Sequence, residues 1–175
     1  MDFKGNFKGK TALVTGASCG IGKAIAIGLG QAGASVICAA RTQNKLEQTA
    51  ATIHTHGTKA YAVTLDTTDP LATAKLADEP GRAHEAFDIV YLDAGGGGAM
   101  ASVLDGDIER WRYDLELNLC SVFYGIEYFA PLMQRRGGGM IIFTGNVLTG
   151  SAGLVILLCR TRGPGYPPSQ STALN

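Results

Sequence analysis

The sequence has no excess of either charge: fifteen Lys and Arg are matched by fifteen Asp and Glu. A chain without net charge has no long-range electrostatic attraction for nucleic acid or an anionic membrane, so neither is an expected partner. Long apolar runs are missing too. The longest aliphatic one, Leu154 to Leu158, is far shorter than the roughly 20 residues a membrane-crossing helix needs. The amino-terminal Met1 to Lys8 carries charge with no apolar stretch after it, unlike a secretory signal. These features read as a soluble, cytoplasmic chain. Cysteine is scarce and scattered: Cys19, Cys38, Cys120 and Cys159 form no Cys-x-x-Cys pair and lie near no histidine cluster. They read as reduced thiols, with no disulfide framework and no metal site, and His54, His56 and His84 as solvated side chains. There is no internal repeat and no low-complexity segment beyond glycine clusters at 95–98 and 137–139.

Glycine in one particular setting is what the sequence does have. Residues Thr11 to Gly22 read Thr-Ala-Leu-Val-Thr-Gly-Ala-Ser-Cys-Gly-Ile-Gly, an apolar run that breaks into glycine and resumes with helical periodicity. The pattern predicts a strand, a tight turn and the start of a helix, with Gly16, Gly20 and Gly22 where the backbone needs positive φ or close approach. Amide hydrogens at the opening of such a helix lack internal partners and form an anion site suited to a pyrophosphate. The spacing Gly-x-x-x-Gly-x-Gly differs from Gly-x-Gly-x-x-Gly, so the glycines alone leave a plain flexible loop open as the other reading.

The rest of the 175 residues alternates in the same way, within the size of one domain. Ile21, Ala24, Ile25, Gly28, Leu29 and Ala32 recur at helical spacing and predict a helix over 21–32. Further strands are predicted over 35–40, 60–65, 87–92 and 140–144, with a polar helix over 45–56 and a crossover over 66–82 broken at Pro70 and Pro80. This order implies an α/β fold: a Rossmann-like, doubly wound parallel sheet of about five strands in the order 3-2-1-4-5, with helices on both faces. Ligands in such a sheet sit beyond the carboxyl ends of strands one and four. The segment 108–133 carries two apolar stripes, one from Trp111 through Leu115, Leu119, Val122, Ile126 and Phe129 to Met133, the other through Tyr113, Leu117, Tyr124, Tyr128 and Leu132. A surface helix needs one. A second subunit is the simplest cover for the other, giving a homo-oligomer; tyrosines lying flat on a solvated face are the alternative.

Thr15 through Gly22 resembles the cofactor loop of the short-chain dehydrogenase/reductase family, Thr-Gly-x-x-x-Gly-x-Gly. The resemblance implies dinucleotide binding by Gly16, Ser18, Cys19, Gly20, Ile21 and Gly22. An acidic residue ending strand two would favour NAD through the ribose hydroxyls, whereas a basic one neutralises the 2′-phosphate of NADP. Here Ala39-Ala40-Arg41 ends the strand, so NADP is the expected cofactor and NAD the lesser one. Leu65-Asp66 resembles the family's aspartate at the adenine edge, although an Asp after a strand also caps turns. Leu92-Asp93-Ala94-Gly95 stands where the family has Asn-Asn-Ala-Gly; Ala94 and Gly95 match, and Leu92 and Asp93 do not.

The resemblance also implies reversible carbonyl/alcohol oxidoreduction on a small molecule. Asn118 matches the family's helical asparagine, and Asn146 takes the place of its strand-five serine. Tyr166, in Tyr166-Pro167-Pro168-Ser169-Gln170, resembles the tyrosine of Tyr-x-x-x-Lys with Gln170 in place of lysine. Consecutive prolines do not start the helix on which the family places that pair. With no lysine charge to lower it, a phenol near pKa 10 is about one part in a thousand ionised at neutral pH. The sequence therefore divides into an NAD(P)-binding Rossmann domain at 1–147 and a divergent Gly- and Pro-containing tail at 148–175 in place of the usual catalytic segment. It leaves open a nucleotide-binding relative without turnover, truncated or divergent at its carboxyl end. Strand five would be a sheet edge, with Leu154 to Leu158 as its expected cover.

Overall fold

Strands buried on both faces need apolar side chains in both directions, and this sequence supplies them in short runs. In the computed structural model, which describes residues 6–78, 87–96, 106–149 and 151–162, these runs become β1 (Thr11–Thr15), β2 (Ser35–Ala40), β3 (Ala60–Thr64) and β4 (Ile89–Leu92). They are joined by β5 (Gly138–Thr149) and β6 (Ser151–Arg162) in one sheet of order β3-β2-β1-β4-β5-β6. The first five are parallel in the expected order, and β6 pairs antiparallel with β5.

Alternate residues of each strand serve opposite faces, as the pleat requires. Ala12 and Val14 of β1, with Val36 and Cys38 of β2, pack on Ala26 of α1 (Gly20–Gln31) and on Leu46, Ala50 and Ile53 of α2 (Gln43–His54). Leu13, Ile37, Ala39 and Val90 point the other way, onto Leu76 of α3 (Pro70–Asp78) and Phe129 and Met133 of α5 (Ser121–Arg135). Phe87 meets Phe129 edge-on, ring centres 5.0 Å apart. Burial lifts the Cys38 thiol to about pKa 12, so it stays protonated, and Cys19, Cys38 and Cys120 are all free thiols.

Three local expectations are corrected. The face that α1 turns inward is Gly22, Ala26 and Gly30; Ile21 is 46% exposed, and Ala24 and Gly28 are exposed as well. The helix lies so close to its neighbours that a methyl at Gly30 would come within 2.5 Å of Ile53 Cγ2, so small residues make the contact and larger ones flank it. Pro70 opens α3 instead of breaking a helix. Its missing N–H is unneeded in a first turn, and Asp69 Oδ1 accepts from the N–H groups of Leu71 and Ala72.

The third correction concerns the segment 108–133. It is two helices, α4 (Ile108–Leu115) and α5, joined by a π-helical turn over Glu116–Cys120. The extra residue in that turn shifts the helical register. The buried positions are Leu117 from one expected stripe, Phe129 and Met133 from the other, and Ser121 and Gly125 from neither, while Trp111, Leu119 and Phe123 are about 60% exposed. Tyr124 donates to Glu116 Oε1 across the turn at 2.6 Å, and that hydrogen bond raises the phenol to about pKa 12.

At the sheet edge, β5 is longer than the 140–144 expected, because backbone pairing holds its glycine-containing end whatever the side chains. The boundary expected after Val147 thus falls within β5. The expected cover is present as a ladder, with Asn146 opposite Leu154 and Ile142 opposite Leu158. Backbone amides of 140–144 are therefore expected to resist hydrogen exchange, and rapid exchange through that segment, read by NMR or mass spectrometry, would mean that β6 does not pair in solution.

Candidate functional site

The carboxyl ends of β1, β4 and β5 open into a cleft of about 1050 Å³. Its near wall is the β1–α1 loop: Gly16, Ser18, Cys19, Gly20 and Ile21 all line it. Gly16 has φ +70°, and a Cβ there would lie 2.9 Å from the Asp93 carbonyl oxygen; one at Gly22 would lie 2.6 Å from the Gly16 carbonyl oxygen. Both distances are to backbone and cannot be relieved by a rotamer change. The loop therefore closes on itself and on the end of β4 only without side chains at these two positions.

Thr15 fastens that junction. Its buried hydroxyl accepts the N–H groups of Asp93 at 3.0 Å and Ala94 at 3.1 Å. On the far side of the β4 loop, Asn118 takes both backbone groups of Gly96, accepting its N–H and donating to its C=O, each at 3.0 Å, and also donates to the Asp114 carbonyl at 2.8 Å. Asn118 lies in the π-helical turn and is exposed, and both its amide hydrogens have partners and hold the loop in place.

The mouth of α1 meets the requirements of an anion site. Cys19 is its N-cap with an extended backbone; among the described residues it makes no side-chain cap, and the first turn holds no acid. Of the amide hydrogens of that turn, that of Gly22 meets the Asp93 carboxylate, while Gly20 and Ile21 border the cleft at the positive end of the helix dipole. Arg41 lines the same cleft from beyond β2.

Of the residues expected from sequence, Gly16, Ser18, Cys19, Gly20, Ile21, Arg41, Ala94, Gly95 and Asn118 are brought together around this cleft, with Gly22 packed behind the loop. Leu65 and Thr67 line it as well, but Asp66 Oδ1 is engaged by the backbone N–H and hydroxyl of Thr68, a turn cap. Asn146 follows the lining residue Gly145 along β5, and Tyr166 lies outside the described residues. Sequence reasoning missed Thr15 as the fastener and Tyr113, whose hydroxyl accepts from Arg41. The threonine directly before the first glycine was the available signal for Thr15. Among the described residues no three His, Cys, Asp or Glu side chains are grouped to hold a metal ion, and no helix is long and apolar enough to cross a membrane.

Comparison with known proteins agrees with this geometry. A family model described as short chain dehydrogenase matches residues 10–156. Versicolorin reductase 1 of Aspergillus parasiticus is 47% identical over 141 residues, covering 79% of this chain and 52% of its own. A solved structure of 7α-hydroxysteroid dehydrogenase, complexed with NADH and 7-oxo glycochenodeoxycholic acid, superposes with a TM-score of 0.77 at 31% identity, covering 87% of this chain and 58% of that one. L-sorbose reductase from Gluconobacter frateurii, complexed with NADPH and L-sorbose, gives a TM-score of 0.73 at 29% identity, covering 82% and 54%. The chain spans about half the length of the curated relatives it matches.

Asp93 is the ionisable group at the centre of this site. Burial raises its carboxyl above the usual range, against hydrogen bonds from the Thr144 side chain and the Gly22 backbone N–H that lower it. A carboxyl raised on folding stabilises the protein below its unfolded value of about 3.9 and loses that contribution as pH climbs through the folded value. Asp93→Asn removes the charge and keeps an acceptor for Gly22. It is expected to melt a few degrees above the parent at pH 7, with the gap closing toward pH 4. Calorimetry at both pH values measures this; a variant that melts lower at pH 7 would show the carboxylate to be a net stabiliser.

Proposed function

The chain belongs to the short-chain dehydrogenase family, and from that membership we propose that it binds NADP in preference to NAD and serves carbonyl/alcohol interconversion on a small-molecule substrate. Arg41 carries the cofactor preference: a guanidinium, with no carboxylate beside it at the end of β2, borders the cleft into which the mouth of α1 opens. The two coenzyme-bound structures compared above hold NADH in one case and NADPH in the other, so the preference rests on this residue.

The residues present fit the dinucleotide. The glycine loop has no room for a Cβ at Gly16 or Gly22, and its N–H groups suit a pyrophosphate. Ser18, Cys19, Gly20 and Ile21 would hold the phosphates, Ala94 and Gly95 would present backbone to the ribose, and Arg41 would take the 2′-phosphate. Bound nicotinamide supplies or accepts the hydride. This chain's own part at the substrate falls to Asn146, as a hydrogen-bond donor to the oxygen, and to Tyr166, as the group that gives or takes its proton. With Gln170 where the family pattern has lysine, that position supplies no positive charge to lower the phenol's pKa, which would slow proton transfer near pH 7.

The exposed face of α4, the π-helical turn and α5 is assigned to self-association. Trp111, Leu115, Leu119 and Phe123 each keep at least 37% of their surface exposed, and large apolar side chains left in water along these elements suit a partner surface.

Two measurements test these assignments. Arg41→Ala is expected to weaken NADPH binding by about 2 kcal/mol, roughly thirtyfold, while leaving NADH unchanged, because a charge-assisted contact to the 2′-phosphate is lost. Equal affinities of the parent for the two coenzymes, read by fluorescence titration, would overturn the preference. Light scattering at micromolar concentration is expected to show a dimer or larger, and a strict monomer would leave the apolar face without a partner subunit.

A further inference from the structure

Arg41 is the residue on which the cofactor reading rests, and its guanidinium is already held: Nη1 donates to the Tyr113 hydroxyl at 2.6 Å. The two residues are remote in sequence and belong to different parts of the fold. Arg41 follows β2 and Tyr113 lies on α4, which follows β4; in the sheet, β1 lies between those strands. The bond therefore spans the position of the glycine loop. Tyr113 is itself anchored. It is half-buried, and the Arg110 guanidinium, paired with Asp114 at 3.3 Å, sits 5.6 Å from the centre of its ring.

A guanidinium has five N–H donors in a rigid fork, and this contact uses one nitrogen. The remaining donors stay free for a phosphate. An exposed arginine otherwise loses rotamer freedom when a ligand recruits it, and a side chain already held in place avoids that loss on binding. We propose that Tyr113 is a positioning residue for coenzyme choice: it sets the Arg41 guanidinium at the cleft so that the 2′-phosphate of NADP meets a fixed fork. This rests on the NADP reading above, and it places part of the preference on α4, away from the end of β2.

The inference is tested with NADPH and NADH titrations of the parent chain, Tyr113→Phe, Arg41→Ala and the double variant. Tyr113→Phe keeps the ring and its contact with Arg110 while removing the acceptor. It is expected to weaken NADPH three- to tenfold, to leave NADH within twofold, and to have no effect in the Arg41→Ala background. Unchanged or tighter NADPH binding, an equal loss of both coenzymes, or the same loss without Arg41 overturns the positioning role. A parent preference that Arg41→Ala abolishes and Tyr113→Phe leaves intact overturns this inference alone. A parent with no preference, and an Arg41→Ala variant that matches it, overturns the NADP reading and this inference together.

Discussion

The cleft depends on one backbone contact, the approach of the β1–α1 loop to the end of β4. At Gly16 the nearest atom a side chain would meet is the Asp93 carbonyl oxygen, and at Gly22 it is the Gly16 carbonyl oxygen. Polar backbone groups brought this close to one another need partners, because an unsatisfied buried group costs on the order of 1–3 kcal/mol. Thr15 supplies one, accepting two N–H groups from the β4 end with a single hydroxyl. The β4 loop, fixed on that side by Thr15, is fixed on the other by Asn118 through Gly96. The β4 loop is thus tied at one side to β1 and at the other to the π-helical turn.

The sheet was legible in the sequence for a reason that did not extend to the helices. A parallel strand buried on both faces must be apolar throughout, and Ser35–Ala40 reads that way from composition alone. A helix is read from its large apolar residues, and here the closest packing is made by its smallest ones. Gly22, Ala26 and Gly30 of α1 face inward while Ile21 faces out, and Ser121 and Gly125 of α5 are buried while Phe123 is not. The π-helical turn compounds the error, since periodicity counted across Glu116–Cys120 is off by the residue the turn inserts. Pro70 shows the opposite limit: the same residue stops a helix from inside and starts one from its first turn, and Asp69 was the signal that decided between them.

Within the site, what could be read in advance was whatever depends on backbone. Glycines spaced between a strand and a helix announce a loop that must admit something close, and Arg41 is placed by the end of a strand whose limits the sequence shows clearly. What could not be read was any contact between residues far apart in the chain. The Thr15 bonds span 78 and 79 positions and the Arg41–Tyr113 bond 72, and no local pattern encodes such pairs. Asn118 was singled out by its match to a family pattern, and its engagement with Gly96, 22 positions away, was not visible in that match. Asp66 carried two readings from the start, and its contacts with Thr68 display the turn-capping one.

The charges around the cleft are arranged asymmetrically. Among the described residues lining it, Arg41 and Asp93 are the ionisable side chains of fixed sign, and they lie beyond the two strands that flank β1. The Asp93 carboxylate reaches Gly22 at the opening of α1, so it opposes an anion there while Arg41 attracts one at the end of β2. Two unit charges 4 Å apart interact by about 4 kcal/mol at an effective dielectric near 20, and by less where water reaches them. The burial that raises the Asp93 carboxyl is therefore also what lets its charge be felt by a phosphate. A more exposed carboxylate in its place would cost the fold less and would repel an anion less, because water would screen both effects alike.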